Sequence, residues 1–288
     1  MHEYTYYPGC SIKGTAKHYD ESLISTFNAL GIKMKELEDW NCCGATAYFS
    51  VDDKMAIAIS GRNIALAQKQ GKDIVAPCAG CYLTLRKSLE FLNDNPDKVE
   101  NLIRELAIIG GEFPFNIKVR HPLEVLINDY GLDKIKEKIK KNLGDLRIAC
   151  YYGCQVVRPF TDFDDPDYPT SLDKLMELTG ATPVDYSPKT RCCGGSLTGT
   201  LEEVGLRLNY ILLREAKKKN ADVIVTLCPL CQFNLEIYQD KIVKKYGEDI
   251  RVPIFYFTQI LGLALDIPIK ELGFSRSVIP LNEFFARV

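Results

Sequence analysis

The sequence predicts an α/β fold made of two tandem homologous domains, residues 1–144 and 145–288, related by a pseudo-twofold axis. Two observations predict it: the cysteines repeat at matched spacings in the two halves of the chain, and strand-like and helix-like segments alternate around them. Alternation of strand and helix favours parallel sheets covered by helices. Two halves of equal length also fall within the usual range of domain sizes.

The cysteine spacing indicates an internal duplication. In the first half, 31 residues separate Cys10 from a Cys-Cys-Gly segment, and 34 residues separate Cys43 from a Cys-x-x-Cys segment. The second half repeats the pattern, with 37 residues after Cys154 and again 34 residues after Cys193. The unequal first gap fits a loop insertion. The flanks agree, since the segment 6–10 matches 151–154 apart from one extra proline, Pro8.

Each half is predicted to contain the same succession of strand, helix and strand. The helices are predicted from apolar residues at helical spacing and from strong helix formers, and the strands from short β-branched runs. The predicted segments are 5–7, 56–70 and 74–75 in the first half and 147–152, 205–220 and 223–225 in the second. Open parallel sheets form their sites at the carboxyl ends of the strands, so we expect the cysteines to gather at that edge.

Composition and charge exclude several functional classes. A net charge of −2 gives no broad electrostatic attraction for nucleic acid. The longest apolar stretch, 254–269, is too short and too interrupted for a membrane span. The first residues show no export signal, and with 11 cysteines this predicts a cytoplasmic protein whose thiols stay free for metal or redox chemistry.

Five repeated cysteines in each half favour an iron–sulfur cluster over a zinc ion. Thiolates are soft ligands that select zinc, cuprous copper or iron–sulfur clusters. A structural zinc ion takes four ligands, and adjacent cysteines suit a single tetrahedral ion poorly because their side chains diverge. They suit a larger inorganic core whose iron atoms lie apart. A zinc-stabilised binding protein without redox function remains the alternative.

The repeated motif resembles the cysteine-rich CCG domain family, and over the whole chain the sequence resembles the HdrB-type catalytic subunits of heterodisulfide reductases. The resemblance implies two Rossmann-like CCG domains, each holding a non-cubane [4Fe-4S] cluster on five cysteines. These are Cys10, Cys42, Cys43, Cys78 and Cys81 in the first half and Cys154, Cys192, Cys193, Cys228 and Cys231 in the second.

The resemblance also implies a reaction and partners. Such a subunit reduces the disulfide of coenzyme M and coenzyme B to two thiols. It receives electrons from a ferredoxin-like subunit and a flavin-containing subunit of the heterodisulfide reductase, with a hydrogenase or formate dehydrogenase beyond them. The chain carries no ferredoxin motif of its own. The alternative is an iron–sulfur subunit of a lactate- or glycolate-type oxidoreductase, passing electrons to a flavoprotein or a quinone.

Both coenzymes are anionic, so a pocket for them needs cations close to the cysteines. Five residues are candidates by sequence proximity alone, with an ordinary exposed charge as the alternative for each: Arg191, Lys189, Lys13, Lys17 and Arg158. His18 and His121 are candidate proton donors, although a buried helix-entry histidine explains His121 better. Cys150 has no cysteine counterpart in the first half and is interpreted as a small buried apolar residue.

Overall fold

Two parallel four-stranded sheets form the framework of the molecule in the computed structural model, which describes residues 2–45 and 48–286. The first sheet contains β1 (Glu3–Tyr6), β2 (Lys33–Glu36), β3 (Ile74–Val75) and β4 (Val119–Arg120), in the spatial order β2-β1-β3-β4. The second contains β5 (Arg147–Tyr151), β6 (Thr182–Pro183), β7 (Val223–Thr226) and β8 (Ile254–Tyr256), in the order β6-β5-β7-β8. The identical order confirms the duplicated α/β fold; we call the sheets, with their helices, the first and second modules.

Helices connect the strands as parallel pairing requires. Those of the first module are α1 (Gly9–Lys13), α2 (Lys17–Ala29), α3 (Tyr48–Val51), α4 (Asp53–Gln70), α5 (Ala79–Asp94), α6 (Glu100–Ile108), α7 (Pro122–Glu124) and α8 (Leu132–Lys138). Those of the second are α9 (Ser171–Leu178), α10 (Glu202–Lys218), α11 (Pro229–Ile237), α12 (Gln239–Tyr246), α13 (Phe257–Ala264) and α14 (Asn282–Phe285). In the described part of the chain, none of these helices is long and apolar enough to cross a lipid bilayer.

The predicted helices and central strands are found, with small shifts of their ends. The helix predicted at 56–70 is α4, which begins earlier because the Asp52 carboxylate accepts a hydrogen bond from Met55 N at 3.0 Å and caps it. It ends at Gly71, whose φ of +65° stops the helical path. The helix predicted at 205–220 is α10.

The strand register corrects the predicted alignment of the two modules. Tyr6 pairs with Val75, and Cys150 pairs with Val225, the residue equivalent to Val75 because each lies three positions before a Cys-x-x-Cys motif. Counting from these pairs, Pro8 occupies the position of Tyr152. The interpretation of Pro8 as an extra residue was therefore wrong, because backbone pairing aligns the modules without an insertion there.

The two modules pack through a buried seam. Helix α2 of the first module lies against α13 of the second. At its centre the rings of Tyr19 and Tyr256 stack at 4.0 Å with a 9° angle between their planes. Ser22 and Thr258 share a buried hydrogen bond of 2.7 Å. Because this seam contains both apolar surface and satisfied polar groups, the modules form one packed unit.

Candidate metal centres

The repeated cysteines lie where the strands of each sheet end. Three loops at these carboxyl ends supply each group: the lone cysteine follows the first strand, the cysteine pair follows the edge strand, and Cys-x-x-Cys follows the third strand and opens a helix. We call these groups the first thiol set (Cys10, Cys42, Cys43, Cys78, Cys81) and the second thiol set (Cys154, Cys192, Cys193, Cys228, Cys231). The fold thus gathers residues that are far apart in sequence at one edge of each sheet.

Within each set, thiols from different loops contact one another. The Sγ atoms of Cys43 and Cys81 are 3.2 Å apart, and those of the equivalent Cys193 and Cys231 are 3.5 Å apart. Among the described residues, no group of three or more His, Cys, Asp or Glu side chains is arranged to hold a single metal ion. Each of the two contacts joins the cysteine pair of one loop to the Cys-x-x-Cys motif of another, so the fold brings sulfur atoms from different loops together.

Two buried tyrosines report how closely each set is gathered. Burial raises the pKa of Tyr7, and nearby Cys81, Cys43, Cys42 and Cys10 raise it further. Burial likewise raises the pKa of Tyr151, with further contributions that include those of three thiols of the second set, from Cys231, Cys193 and Cys154. Four members of the first set and three of the second therefore lie close enough to one hydroxyl to act on its charge.

Each tyrosine also fixes the loop that carries a cysteine pair. The hydroxyl of Tyr7 donates a hydrogen bond to Asn41 O, and that of Tyr151 donates one to Arg191 O, both at 2.7 Å. In both modules the acceptor is the residue just before the cysteine pair. The sequence alone gave no indication that these tyrosines hold the cysteine pairs. Their matched positions become visible once Pro8 is aligned with Tyr152.

Glycines let the backbone approach the sulfur atoms. Gly9 and Gly153 both have φ of +70°, where other residues are strained. A Cβ at Gly9 would lie 2.9 Å from Cys81 Sγ, and one at Gly153 would lie 3.3 Å from Cys231 Sγ. At the second pair, Gly194 N donates a hydrogen bond to Cys192 Sγ at 3.2 Å. Close backbone and N–H groups directed at sulfur are features that stabilise iron–sulfur clusters.

Contacts between thiols lower the pKa of one sulfur and raise that of its neighbour. Hydrogen bonds from Cys42 and Cys81 lower the pKa of Cys43 to about 4. Hydrogen bonds from Cys154 and Cys193 lower the pKa of Cys192 to about 2. A thiol that donates to a neighbouring sulfur stabilises the thiolate there, and the thiolate is the form that binds metal. The same contacts raise the pKa of the donating thiols Cys42 and Cys154, so the negative charge lies on one sulfur of each contact. The fit to a metal centre comes from the chemistry of the donors, since each set gathers five soft sulfur ligands at one edge of a sheet.

The two thiol sets meet at the seam between the modules. The thiols of Cys78 and Cys228 interact across the seam, and their interaction raises the pKa of Cys78 and lowers that of Cys228. A Cβ at Gly80, inside the first Cys-x-x-Cys, would lie 3.5 Å from the Gln155 side chain of the second module. Each set is open to solvent on its other side, where Cys10, Cys42 and Cys192 are exposed and Cys154 is half-buried.

The five candidate cations fall into two groups. Three are engaged in contacts within the protein: Lys189 in an ion pair of 2.8 Å with Asp173, Lys13 in one of 2.7 Å with Glu36, and Arg158 with the Thr190 carbonyl and Asp167. The other two, Lys17 and Arg191, are exposed and form no ion pair or side-chain hydrogen bond with any described residue. Lys17 and Arg191 are thus the candidates whose charge stays available.

The buried residues His18, His121 and Cys150 were also considered from the sequence. Cys150 is fully buried in β5, as the interpretation of a small apolar residue requires. His121 is fully buried and caps the N-terminus of α7, as expected of a helix-entry histidine. His18 is buried beside Tyr256, and its ring nitrogens make no hydrogen bond of good geometry with the neighbouring Gln232 amide or any other described group.

Comparison with known families identifies the repeated segment. The cysteine-rich domain CCG matches residues 4–86 and 148–236. These two segments coincide with the strands and loops that carry the two thiol sets.

Several curated proteins are similar over their whole length. The chain is 33% identical over 280 residues to the 8-methylmenaquinol:fumarate reductase membrane anchor subunit of Wolinella succinogenes, covering 96% of this chain and 97% of that protein. It is 30% identical over 293 residues to the B subunit of the ferredoxin:CoB-CoM heterodisulfide reductase of Methanosarcina mazei, covering 100% and 97%. It is 31% identical over 296 residues to a protein of Archaeoglobus profundus that is described as like the B subunit of heterodisulfide reductase, covering 100% and 98%.

One solved structure shares the fold. The crystal structure of a hypothetical protein from Helicobacter pylori superposes with a TM-score of 0.75 at 15% identity. The match covers 95% of this chain and 51% of that chain, so this chain spans about half of its length. At this identity the likeness concerns the fold alone.

Proposed function

Because the chain belongs to the cysteine-rich CCG domain family, and within it is HdrB-like, we propose that it is the subunit of a heterodisulfide reductase that cleaves the disulfide of coenzyme M and coenzyme B. The observation that carries the proposal is the pair of matched thiol sets, one in each of two modules that pack together so that Gly80 of the first Cys-x-x-Cys motif lies beside Gln155 of the second module. A disulfide has two similar reacting sulfur atoms, and two similar neighbouring sites offer one site to each sulfur atom.

Each thiol set would hold one [4Fe-4S] cluster of the non-cubane type, on the five cysteines that define the set. When bound, the clusters supply electrons one at a time to the substrate sulfurs. The chain keeps the thiols convergent through Tyr7 and Tyr151, and it shields them by burial of six of the ten. Burial and hydrogen bonds to sulfur are the means by which a protein sets the reduction potential of such a centre.

The reaction consumes two electrons and two protons and converts one disulfide into two thiols. We propose that the electrons reach this chain from a ferredoxin-like subunit and a flavin-containing subunit of the same complex, with a hydrogenase or formate dehydrogenase beyond them. The similarity to subunits of heterodisulfide reductase complexes supports membership of such an assembly. We expect the assembly to work in the cytoplasm.

Anionic groups of the substrate would be bound by Lys17 and Arg191. Arg191 directly precedes the exposed Cys192, and its backbone is held by Tyr151, so its guanidinium projects from a fixed point beside the second thiol set. Lys17 begins α2, on the segment that follows the exposed Cys10. Guanidinium and ammonium groups bind sulfonate and phosphate oxygens through charge-assisted hydrogen bonds. Lys13, Arg158 and Lys189 are weaker candidates because their charges are already paired.

A second candidate function is suggested by the relative from Wolinella succinogenes, whose name describes one subunit of an 8-methylmenaquinol:fumarate reductase. In that function the two thiol sets would pass electrons from a quinol towards fumarate and would cleave no disulfide. The lactate- or glycolate-type oxidoreductase predicted as an alternative stays a prediction.

One comparison of substrates tests the proposal. The chain, purified and loaded with iron and sulfide under anaerobic conditions, is supplied with reduced viologen and then with heterodisulfide, fumarate, or neither. We expect viologen oxidation that depends on the heterodisulfide and yields two thiols per two electrons. Oxidation that depends on fumarate but not on the disulfide would favour the second candidate. In a separate assay with an oxidised dye, reduction of the dye by lactate or glycolate would favour the lactate- or glycolate-type oxidoreductase.

A further inference from the structure

We propose that His121 is a positioning residue that holds the second thiol set against the first across the seam between the modules. The inference deepens the proposed function and rests on it for its catalytic meaning. The relative position of the Cys78 and Cys228 sulfur atoms can be tested in the protein without any bound cluster.

The hydrogen bonds of His121 fix which ring nitrogen carries the proton. Nδ1 accepts a hydrogen bond from Leu123 N at 3.2 Å, which caps α7. The proton of the neutral ring therefore lies on Nε2, which donates to Leu227 O at 3.1 Å. The ring is fully buried, so both bonds are made away from water.

The acceptor of this bond belongs to the other module. Leu227 directly precedes Cys228, so its carbonyl is part of the peptide group that joins the two residues. The hydroxyl of Tyr19 donates to the same oxygen at 3.2 Å. Two donors of the first module thus hold the peptide group between Leu227 and Cys228, and the Cys228 thiol interacts with that of Cys78.

His121 also packs against the helix that follows Cys78 in its own module. Its ring lies edge-to-face against the ring of Tyr82 in α5, with the ring centres 6.0 Å apart. Tyr82 N in turn donates a hydrogen bond to Cys78 O at 2.8 Å. His121 therefore links the turn that carries Cys78 to the peptide group that precedes Cys228.

The equivalent position in the second module carries a different group. Val75 pairs with Arg120 and Val225 with Phe255, so Tyr256, the last residue of β8, is equivalent to His121, which follows β4. In both cases the side chain three positions on accepts a hydrogen bond from the backbone N–H: Gln259 for Tyr256 and Glu124 for His121. The Tyr256 hydroxyl, however, donates to Gln232 within its own module, at 3.4 Å. In the described part of the chain the donors onto the peptide of Cys228 come from the first module only, which makes the two thiol sets inequivalent.

Two substitutions of His121 separate positioning from capping. In H121N, the side-chain oxygen of the asparagine replaces Nδ1 as the cap, but the amide is too short to reach Leu227 O. In H121Q, the amide nitrogen of the glutamine replaces Nε2 as the donor and the cap is weakened. Each variant keeps one of the two hydrogen bonds. If His121 only stabilises the fold, both variants should be impaired. If His121 positions the peptide group before Cys228, only H121N should be impaired.

The first readout is oxidative cross-linking of the cluster-free full chain. Diamide takes two electrons and two protons from two neighbouring thiols and leaves one disulfide. Peptide mass mapping follows the Cys78–Cys228 disulfide, with the Cys43–Cys81 and Cys193–Cys231 disulfides as internal references. We expect H121N to slow formation of the cross-module disulfide roughly fivefold, as loss of one neutral hydrogen bond allows, and H121Q to stay close to the unsubstituted chain.

The second readout is the reduction potential of anaerobically loaded protein. We expect the potential of one site to shift in H121N and to return in H121Q. Cross-linking in H121N at the original rate, or equal losses in the two variants, would overturn the inference. A chain that takes up no cluster would overturn the proposed function, while the cross-linking result would still decide the role of His121.

Discussion

The thiols of Cys78 and Cys228 interact with each other although they belong to different modules: the interaction raises the pKa of Cys78 and lowers that of Cys228. Each cysteine follows the third strand of its module and directly precedes a helix, so the interaction joins equivalent positions of the duplicated fold. The duplication therefore supplies two sites and couples them, as the proposed cleavage of a disulfide with two similar sulfur atoms would require.

The tyrosines that hold the cysteine pairs provide a matched pair of substitutions. Y7F and Y151F each remove one hydroxyl and leave a carbonyl short of a donor. Asn41 O keeps a second donor, the Asn63 amide at 3.1 Å, whereas no other described side chain donates to Arg191 O. We expect the free energy of unfolding to fall by about 1 kcal/mol in Y7F and about 2 kcal/mol in Y151F.

Urea unfolding of the cluster-free chain measures both values. Y168F, at an exposed tyrosine, is the control and should leave the free energy unchanged. Equal losses in the two variants would contradict the assigned role of the Asn63 amide.

Arg86 connects the first module to the long loop of the second. Its guanidinium lies over the Phe160 ring at 4.0 Å and donates to Asp162 at 2.9 Å. We expect R86A to lower the free energy of unfolding by about 1–2 kcal/mol and to make the loop more sensitive to protease. The control K87A, at the exposed neighbouring position, should do neither. Unchanged proteolysis in R86A would mean that other contacts hold the loop.

The carboxyl of Glu236 makes stability depend on pH. Burial raises its pKa above 4.5, although Gln232, Ser277 and Val278 donate hydrogen bonds to it. The folded protein thus binds this proton more tightly than the unfolded chain. The resulting stability is fully present below pH 4.5 and is lost as the pH rises through the folded pKa.

E236Q removes this pH dependence. We expect the free energy of unfolding of E236Q, relative to the unsubstituted chain, to increase from about pH 4 to about pH 7. Chemical unfolding at several pH values checks it, with E105Q at an exposed glutamate as the control. A difference that stays constant with pH would show that Glu236 titrates alike in both states.

Substrate binding is expected to depend on two cations only. K17A and R191A should each raise KM for the heterodisulfide about tenfold and leave kcat nearly unchanged, because a lost contact to an anionic group costs about 1–2 kcal/mol of binding. K13A and R158A, at paired cations, are the controls and should change KM little. A larger effect in the controls than in K17A and R191A would move the anion site elsewhere.

Much of the fold was predictable because duplication repeats its signals. The central strands and α4 and α10 follow apolar patterns that occur twice. The edge strands β2 and β6 were not predicted, since β2 has no buried residue and β6 has only two residues. An edge strand without a buried face carries no alternation of apolar and polar residues.

The thiol sets were predictable from spacing, whereas their surroundings were not. Cysteine number and order give the members of each set, but the interaction of Cys78 with Cys228 depends on how the modules dock. The bond from His121 to Leu227 likewise joins residues of different modules. Such contacts between distant segments leave no local pattern, so only the assembled structure reveals them.

Iron and acid-labile sulfide content of anaerobically loaded protein tests the central claim most directly. We predict roughly eight iron and eight sulfide per chain, as two [4Fe-4S] clusters contain. The double variants C43S/C81S and C193S/C231S each remove one contacting thiol pair. Each should retain about half of the iron and half of the sulfide. Zinc without sulfide, or loss of all iron in either double variant, would contradict two separate iron–sulfur sites.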